Sequence, residues 1–259
     1  MNDPTPDSTT DVLEADWQRR VVGRSLRSAT ERSVDRGYSL ILAAQKVIER
    51  SNGADVTVQE IADEAGQSLR TLYQYFESKD DLLLAVFEEA MRIYARMITE
   101  AVADLSTPLE RLGGVLLSAV LMPEFSRPSQ DRGLSRLRLK LAESEPDRVA
   151  DAQRNVAAIL IGAVRDAVAS GDITNVDPET STFTLMSMNT TFITAEVLGN
   201  DAGMRRPTAY ANTLFCLRGL GASVDEEWLS GVEARLRLPV RRSRNSKKTA
   251  PKKSAARNS

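Results

Sequence analysis

The stretch from Thr57 to Lys79, TVQEIADEAGQSLRTLYQYFESK, constrains this chain more than any other. Val58, Ile61, Ala62 and Ala65 recur at i, i+3, i+4 and i+7, which puts four apolar side chains on one face of a short helix. Thr57 stands where an N-cap belongs, with Glu60 three residues on as its capping-box partner. Gly66 gives the backbone freedom to leave that helix sharply, and Ser68 can cap a second one. There Leu69, Leu72 and Phe76 form the apolar side, which leaves Gln67, Ser68, Arg70, Thr71, Gln74 and two tyrosines, Tyr73 and Tyr75, for the other. A bracing helix followed at a tight turn by one with a polar outer face makes a helix-turn-helix.

The run IADEAGQSLRTLYQYFESKDDLL is similar to the DNA-binding domain of the TetR family of bacterial transcription regulators. It shares an Ile-Ala pair, a three-residue gap to Gly66, a serine, Thr-Leu-Tyr, Tyr75-Phe76, Ser78-Lys79 and a leucine pair. Gln67 departs from the small aliphatic residue usual there, and Leu69 and Arg70 from the small residue or lysine, so base preference does not carry over. The resemblance implies an all-α chain with an N-terminal three-helix DNA-binding domain and a larger helical domain for ligand binding and dimerisation. The expected divisions are an N-terminal extension (1–36, acidic then arginine-rich), the helix-turn-helix domain (37–80), the helical domain (81–240) and a disordered basic tail (241–259).

Composition narrows the chemistry. The chain has no histidine, which removes the usual general base, the usual triad partner and the commonest zinc ligand together. A single cysteine, Cys216, excludes an intramolecular disulfide and a CxxC metal site. No catalytic residue, metal site or cofactor is therefore assigned, and the chain is not expected to be an enzyme. No apolar run approaches the length needed to cross a bilayer, so a cytoplasmic protein is expected.

The net charge of −2 hides segregation. The tail from Arg241 to Ser259 holds eight Lys/Arg and no acid, while residues 1 to 16 hold five acids and no base. Between Trp17 and Arg36 six arginines meet only Glu31 and Asp35. Positive charge thus brackets the helix-turn-helix, as a polyanion partner would require. The arginine stretch reads either as a solvated linker or as an arm that tracks phosphates or enters a minor groove.

Further helices follow from apolar periodicity and from proline and glycine punctuation. The first spans Tyr38 to Arg50 with Ile41, Ala44, Val47 and Ile48 inward, and Ser51-Asn52-Gly53 ends it. Ser78 caps a long helix through roughly Leu105, about 39 Å at ~1.5 Å per residue, enough to act as a lever. Helices are then expected at Leu109 to Val120, through Leu134 to Leu141, from Pro146 to Ser170, from Asp177 to Leu198, from Pro207 to Leu220 and from Asp225 to Leu238. The segment LSRLRLKL also alternates like a strand, but no second strand exists for it to pair with.

By the resemblance, Gln67, Ser68, Arg70 and Thr71 are expected at base edges, with Arg70 the guanine reader, and Thr57, Tyr73, Tyr75 and Lys79 on phosphates. The pair of helices across about 178–220 is expected to form a homodimer, with Leu214 and Leu217 in its seam. An effector pocket is expected at Leu112, Leu116, Val156, Leu160, Phe183, Met186 and Thr190, for a small lipophilic molecule. The expected function is a ligand-responsive regulator, a repressor, that binds a palindromic double-stranded DNA operator. The alternative is a helical architectural protein that binds DNA nonspecifically through its basic tail.

Overall fold

The structure, a computed structural model, describes residues 16–53, 55–174, 176–199 and 205–238, with side chains from residue 32 onward. The acidic start of the chain and the basic tail lie outside the described residues. Those residues form ten α-helices and one short 3₁₀ turn, and no strand occurs among them. The chain divides into two units, residues 1–86 and 87–259, and the division falls inside one helix, α4 (Lys79–Ala101).

The first unit holds α1 (Asp16–Arg50), α2 (Val58–Ala65) and α3 (Leu69–Tyr75). The first helix is far longer than the expected Tyr38–Arg50 segment, because the arginine stretch continues it without a break. That stretch contains no proline and a single glycine, Gly23, and arginine is a good helix former, so local propensity extends the helix although nothing in the composition calls for burial. Leu40, Ala44, Val47 and Ile48 are buried toward α2 and α3. Asn52 and Gly53 end α1 with φ of 51° and 71°, the left-handed turn that Ser-Asn-Gly announces. The Thr57–Glu60 capping box opens α2, and Gly66 closes it at φ 63° with its N–H on the Ala62 and Asp63 carbonyls. Lys46 and Arg50 of α1 both reach Glu64 of α2, at 3.3 and 2.6 Å. The Arg50 hydrogen bond, seconded by Lys46, holds the Glu64 carboxyl below its usual range.

In the second unit α5 (Pro108–Leu121) is the central element. It is apolar on nearly every side, and a helix of that kind belongs inside a bundle: Leu112 through Ser118, Val120 and Leu121 are buried. Around it pack α7 (Pro146–Ala169), α8 (Pro178–Leu198), α9 (Ala209–Gly219) and α10 (Glu226–Glu233), while α6 (Pro128–Ser144) lies on α7 and α8. Proline opens α5, α6, α7 and α8, where its missing N–H costs nothing. The segment LSRLRLKL is helical, within α6.

Three boundaries move. Helix α4 stops at Ala101, four residues short of Leu105, and α9 begins at Ala209 because Thr208, beyond Pro207, takes the cap by accepting from the Ala211 N–H. Helix α10 ends at Glu233, yet the residues after it are fastened. Arg235 donates to both carboxylate oxygens of Glu110 at 3.2 and 2.6 Å, Arg237 pairs with Asp104, and the Arg237 N–H donates to the Ala101 carbonyl at 3.0 Å. Gly113 is what admits this element: a Cβ there would stand 2.8 Å from the Trp228 ring, so the indole sits directly on the backbone of α5. Of the two roles open to this last helix, an added dimer surface or a cover for the domain, the contacts with α5 and α9 favour the cover.

Candidate nucleic-acid interface and effector region

Helix α3 is seven residues long, too short to be stable alone, and is held at both ends. The Ser68 hydroxyl accepts from the Thr71 N–H at 3.1 Å, and the Phe76 N–H donates to the Leu72 carbonyl at 3.1 Å. Leu72 is fully buried and anchors the helix to the domain. Outward stand Arg70, Tyr73 and Gln74, all exposed. Arg70 has no hydrogen-bond or ion-pair partner among the described residues, so its five donors are available. Gln74, one turn beyond Arg70, shares that face and was not among the expected readers; the i, i+4 spacing is the signal that places it there.

Four expected contact residues are occupied otherwise. Gln67 turns toward α1, its Nε2 donating to Ser39 at 2.8 Å while Oε1 is buried without a partner among the described residues. The turn after Gly66 aims this side chain back into the domain, so it braces the motif instead of projecting from it. Thr57 spends both donors on Glu60: its N–H and its hydroxyl each reach Glu60 Oε2 at 2.8 Å. The Thr57 N–H thereby holds the Glu60 carboxyl below its ordinary range. Ser68 and Thr71 are tied to each other, with their hydroxyls 2.9 Å apart. Tyr75 is half-buried with its ring 3.6 Å from where a Cβ of Gly37 would lie, Tyr73 is 51% exposed, and Lys79 is half-buried at the start of α4. Arg70, Tyr73 and Gln74 are thus the side chains of α3 most open to a ligand.

In the second unit Leu112, Leu116 and Leu160 lie in one buried cluster, with Val156 and Met186 packed half-buried against it. Thr190 is half-buried on α8. Phe183 does not belong with them: it is 75% exposed, on the outer side of α8, and cannot line an interior pocket of this chain. Leu214 and Leu217 are also displaced from expectation, since both are buried in the chain's own core at 4% and 0% exposure; the outward residue of α9 is Phe215, 67% exposed. The period of α9 allowed either face to be the core, and the packing of α5 and α8 selects Leu214 and Leu217. Asn189 of α8 accepts from Asn212 of α9 at 3.0 Å, a buried amide pair that aligns the two helices. Sequence reasoning passed over Arg138 of α6, half-buried with Nη2 3.4 Å from Thr194 Oγ1.

Residues 40–86 match the sequence profile of the bacterial regulatory proteins of the tetR family. Through this domain the chain is similar to the TetR family. The chain is 37% identical over 92 residues to the HTH-type transcriptional regulator BetI of Brucella canis, a match covering 36% of this chain and 46% of that protein. It thus spans about half the length of the curated relatives it matches. It is 28% identical over 138 residues to the fatty acid metabolism regulator protein of Bacillus subtilis, covering 52% of this chain and 69% of that one. In fold it resembles FadR from Bacillus subtilis, solved in complex with stearoyl-CoA, at a TM-score of 0.55 and 23% identity over 71% of this chain and 95% of FadR. RolR, solved with resorcinol, matches with a TM-score of 0.60 at 18% identity over 81% of this chain and 98% of RolR. BetI and FadR are transcriptional regulators. Among the described residues no helix is long and apolar enough to cross a membrane, and no group of acidic, cysteine or histidine side chains is placed to hold a metal.

Proposed function

We propose that the protein is a ligand-responsive transcription regulator, a repressor, that binds a palindromic operator as a homodimer and is released by a small, mostly hydrophobic effector. The observation that carries this reading is the outward face of α3: Arg70, Tyr73 and Gln74 exposed on a helix whose own hydrogen bonds and buried Leu72 already fix its position. A guanidinium held ready in this way suits bidentate contact with guanine in a major groove. Two such helices in a dimer read half-sites spaced by helical turns. A dimer built on α8 and α9 is supported by Phe183 and Phe215, large apolar side chains left exposed on that helix pair.

The effector reading rests on the apolar core between α5, α7 and α8, and on what is bound by two proteins of the same fold, stearoyl-CoA in FadR and resorcinol in RolR. Because α4 runs through the boundary of the two units, it is the element through which a ligand could act on the DNA-binding domain, provided that the ligand binds the DNA-free conformation more tightly. The test is recovery of genomic DNA bound by the full chain, followed by footprinting. A single palindrome protected at physiological salt supports the reading. Binding that covers all sequences alike, and is lost on deleting residues 241–259, would replace it with the architectural one.

A further inference from the structure

Arg138 stands on α6 where that helix packs on α8. Around it on α6, Leu137 and Leu141 are buried and Leu134 is half-buried, and on α8 Thr194, which it meets, is half-buried, as are Thr190, Ile193 and Val197 within about a turn of Thr194. The guanidinium meets the Thr194 hydroxyl at 3.4 Å, the long end of the hydrogen-bond range, and has no carboxylate partner among the described residues. The contrast with other arginines of this unit is marked. Arg154, Arg165, Arg206, Arg235 and Arg237, more exposed or at the rim, each pair with a carboxylate.

A half-buried cation with only a hydroxyl for company is costly, since a dipole does not compensate a charge that has lost part of its water. Burial accordingly pushes the Arg138 pKa down, with no acid to offset it, and the side chain stays charged because guanidinium does not deprotonate in proteins. What would relieve this charge is an anion delivered from outside.

We propose that Arg138 is the anion-reading residue of the effector site, so that the effector is an amphipathic anion with its carboxylate or phosphate head at the α6–α8 seam and its apolar body toward Met186 and Val156. This rests on the reading that a mostly hydrophobic effector enters the second unit, and it narrows that chemistry to a molecule with one charged end. The planar fork of Arg138 fits a carboxylate or a phosphate through two parallel hydrogen bonds, and the Thr194 hydroxyl beside it supplies a further donor. Met186 and Val156 are half-buried against the apolar cluster, positions where an alkyl chain finds partners without displacing the fully buried Leu112, Leu116 and Leu160. If Arg138 served only to cover the seam with its aliphatic stem, replacing it with methionine would leave ligand selectivity untouched.

The experiment titrates dodecanoate, dodecyl phosphate and dodecanol into the full-length protein by calorimetry, with circular dichroism as the check on folding. The expected result is that at least one of the two anions binds about tenfold or more tighter than dodecanol, the scale of a charge-assisted hydrogen bond. The preferred anion distinguishes a carboxylate head from a phosphate head. In Arg138→Met this preference should disappear while dodecanol affinity stays, and Arg138→Lys, which keeps the charge without the fork, should retain part of it. Equal affinity of the wild type for all three, preference for dodecanol, or selectivity that survives in Arg138→Met would overturn the proposal while leaving a hydrophobic effector standing. If none of the three binds the wild type, the proposal and the hydrophobic-effector reading fall together.

Discussion

At the scale of single residues, the division of labour on α3 is decided by what each side chain is already bonded to. Arg70 projects with its donors unspent, whereas Gln67 is committed to Ser39 and Thr57 to Glu60. Arg70→Ala is therefore expected to weaken specific operator binding by about 1–3 kcal/mol and to relax preference at one symmetric position of the site. Gln67→Ala is expected to act through stability instead: it removes the tie to α1, so the melting temperature should fall while the base preference of the folded protein stays the same. Selection of bound sequences from a random pool, run on both variants, separates the two, and an altered preference in Gln67→Ala would return that residue to the base readers. Cys216 gives a second prediction at this scale. Burial pushes its thiol up to about 11, so the native protein should react with a thiol reagent no faster than it unfolds.

At the scale of elements, α10 and the strap after it close the second unit. Their seat depends on Gly113 and on the Arg235–Glu110 pair. Hydrogen bonds from Arg235, with smaller help from the Thr107 N–H, hold the Glu110 carboxyl down at about 2, against an ordinary value of 4.5. A carboxyl whose folded-state pKa is depressed binds protons more weakly in the folded than in the unfolded protein, so its contribution is complete above about pH 4.5 and is lost as pH falls toward 2. Wild-type stability measured by urea melts should drop between pH 5 and 3 more steeply than that of Glu110→Gln, which keeps the capping box and removes the titrating charge. Parallel curves for the two proteins would show that the pair contributes nothing. Gly113→Val should be worse than either, because its side chain must occupy the place of the Trp228 ring, and overpacking of this kind costs about 1–3 kcal/mol or more.

At the scale of the whole molecule, the homodimer proposed on α8 and α9 yields a contrast between exposed and buried positions. Phe183→Arg with Phe215→Arg should give a folded protein that light scattering finds monomeric, since both side chains face solvent in the single chain. Leu217→Arg should instead unfold the second unit, because a charge placed at a fully buried site without a partner costs several kcal/mol. A double phenylalanine variant that remained dimeric would move the interface off this face. The contrast also shows where sequence reading stops. Residues 57 to 79 determined their own structure: capping box, left-handed glycine, second cap and apolar spacing are local rules, and each is met within four residues of where it acts. The all-helical class and the proline-led starts of α5, α7 and α8 were legible for the same reason, whereas α6 starts at Pro128, six residues before the expected Leu134. Only the tertiary structure decided which apolar face of α9 is core, that Phe183 points out, that Gln67 turns in and that Arg138 lies half-buried without an acid among the described residues. Periodicity states that a helix has an apolar side, but which neighbour covers that side, and which polar groups meet across a seam, depends on partners dozens of residues away in the chain.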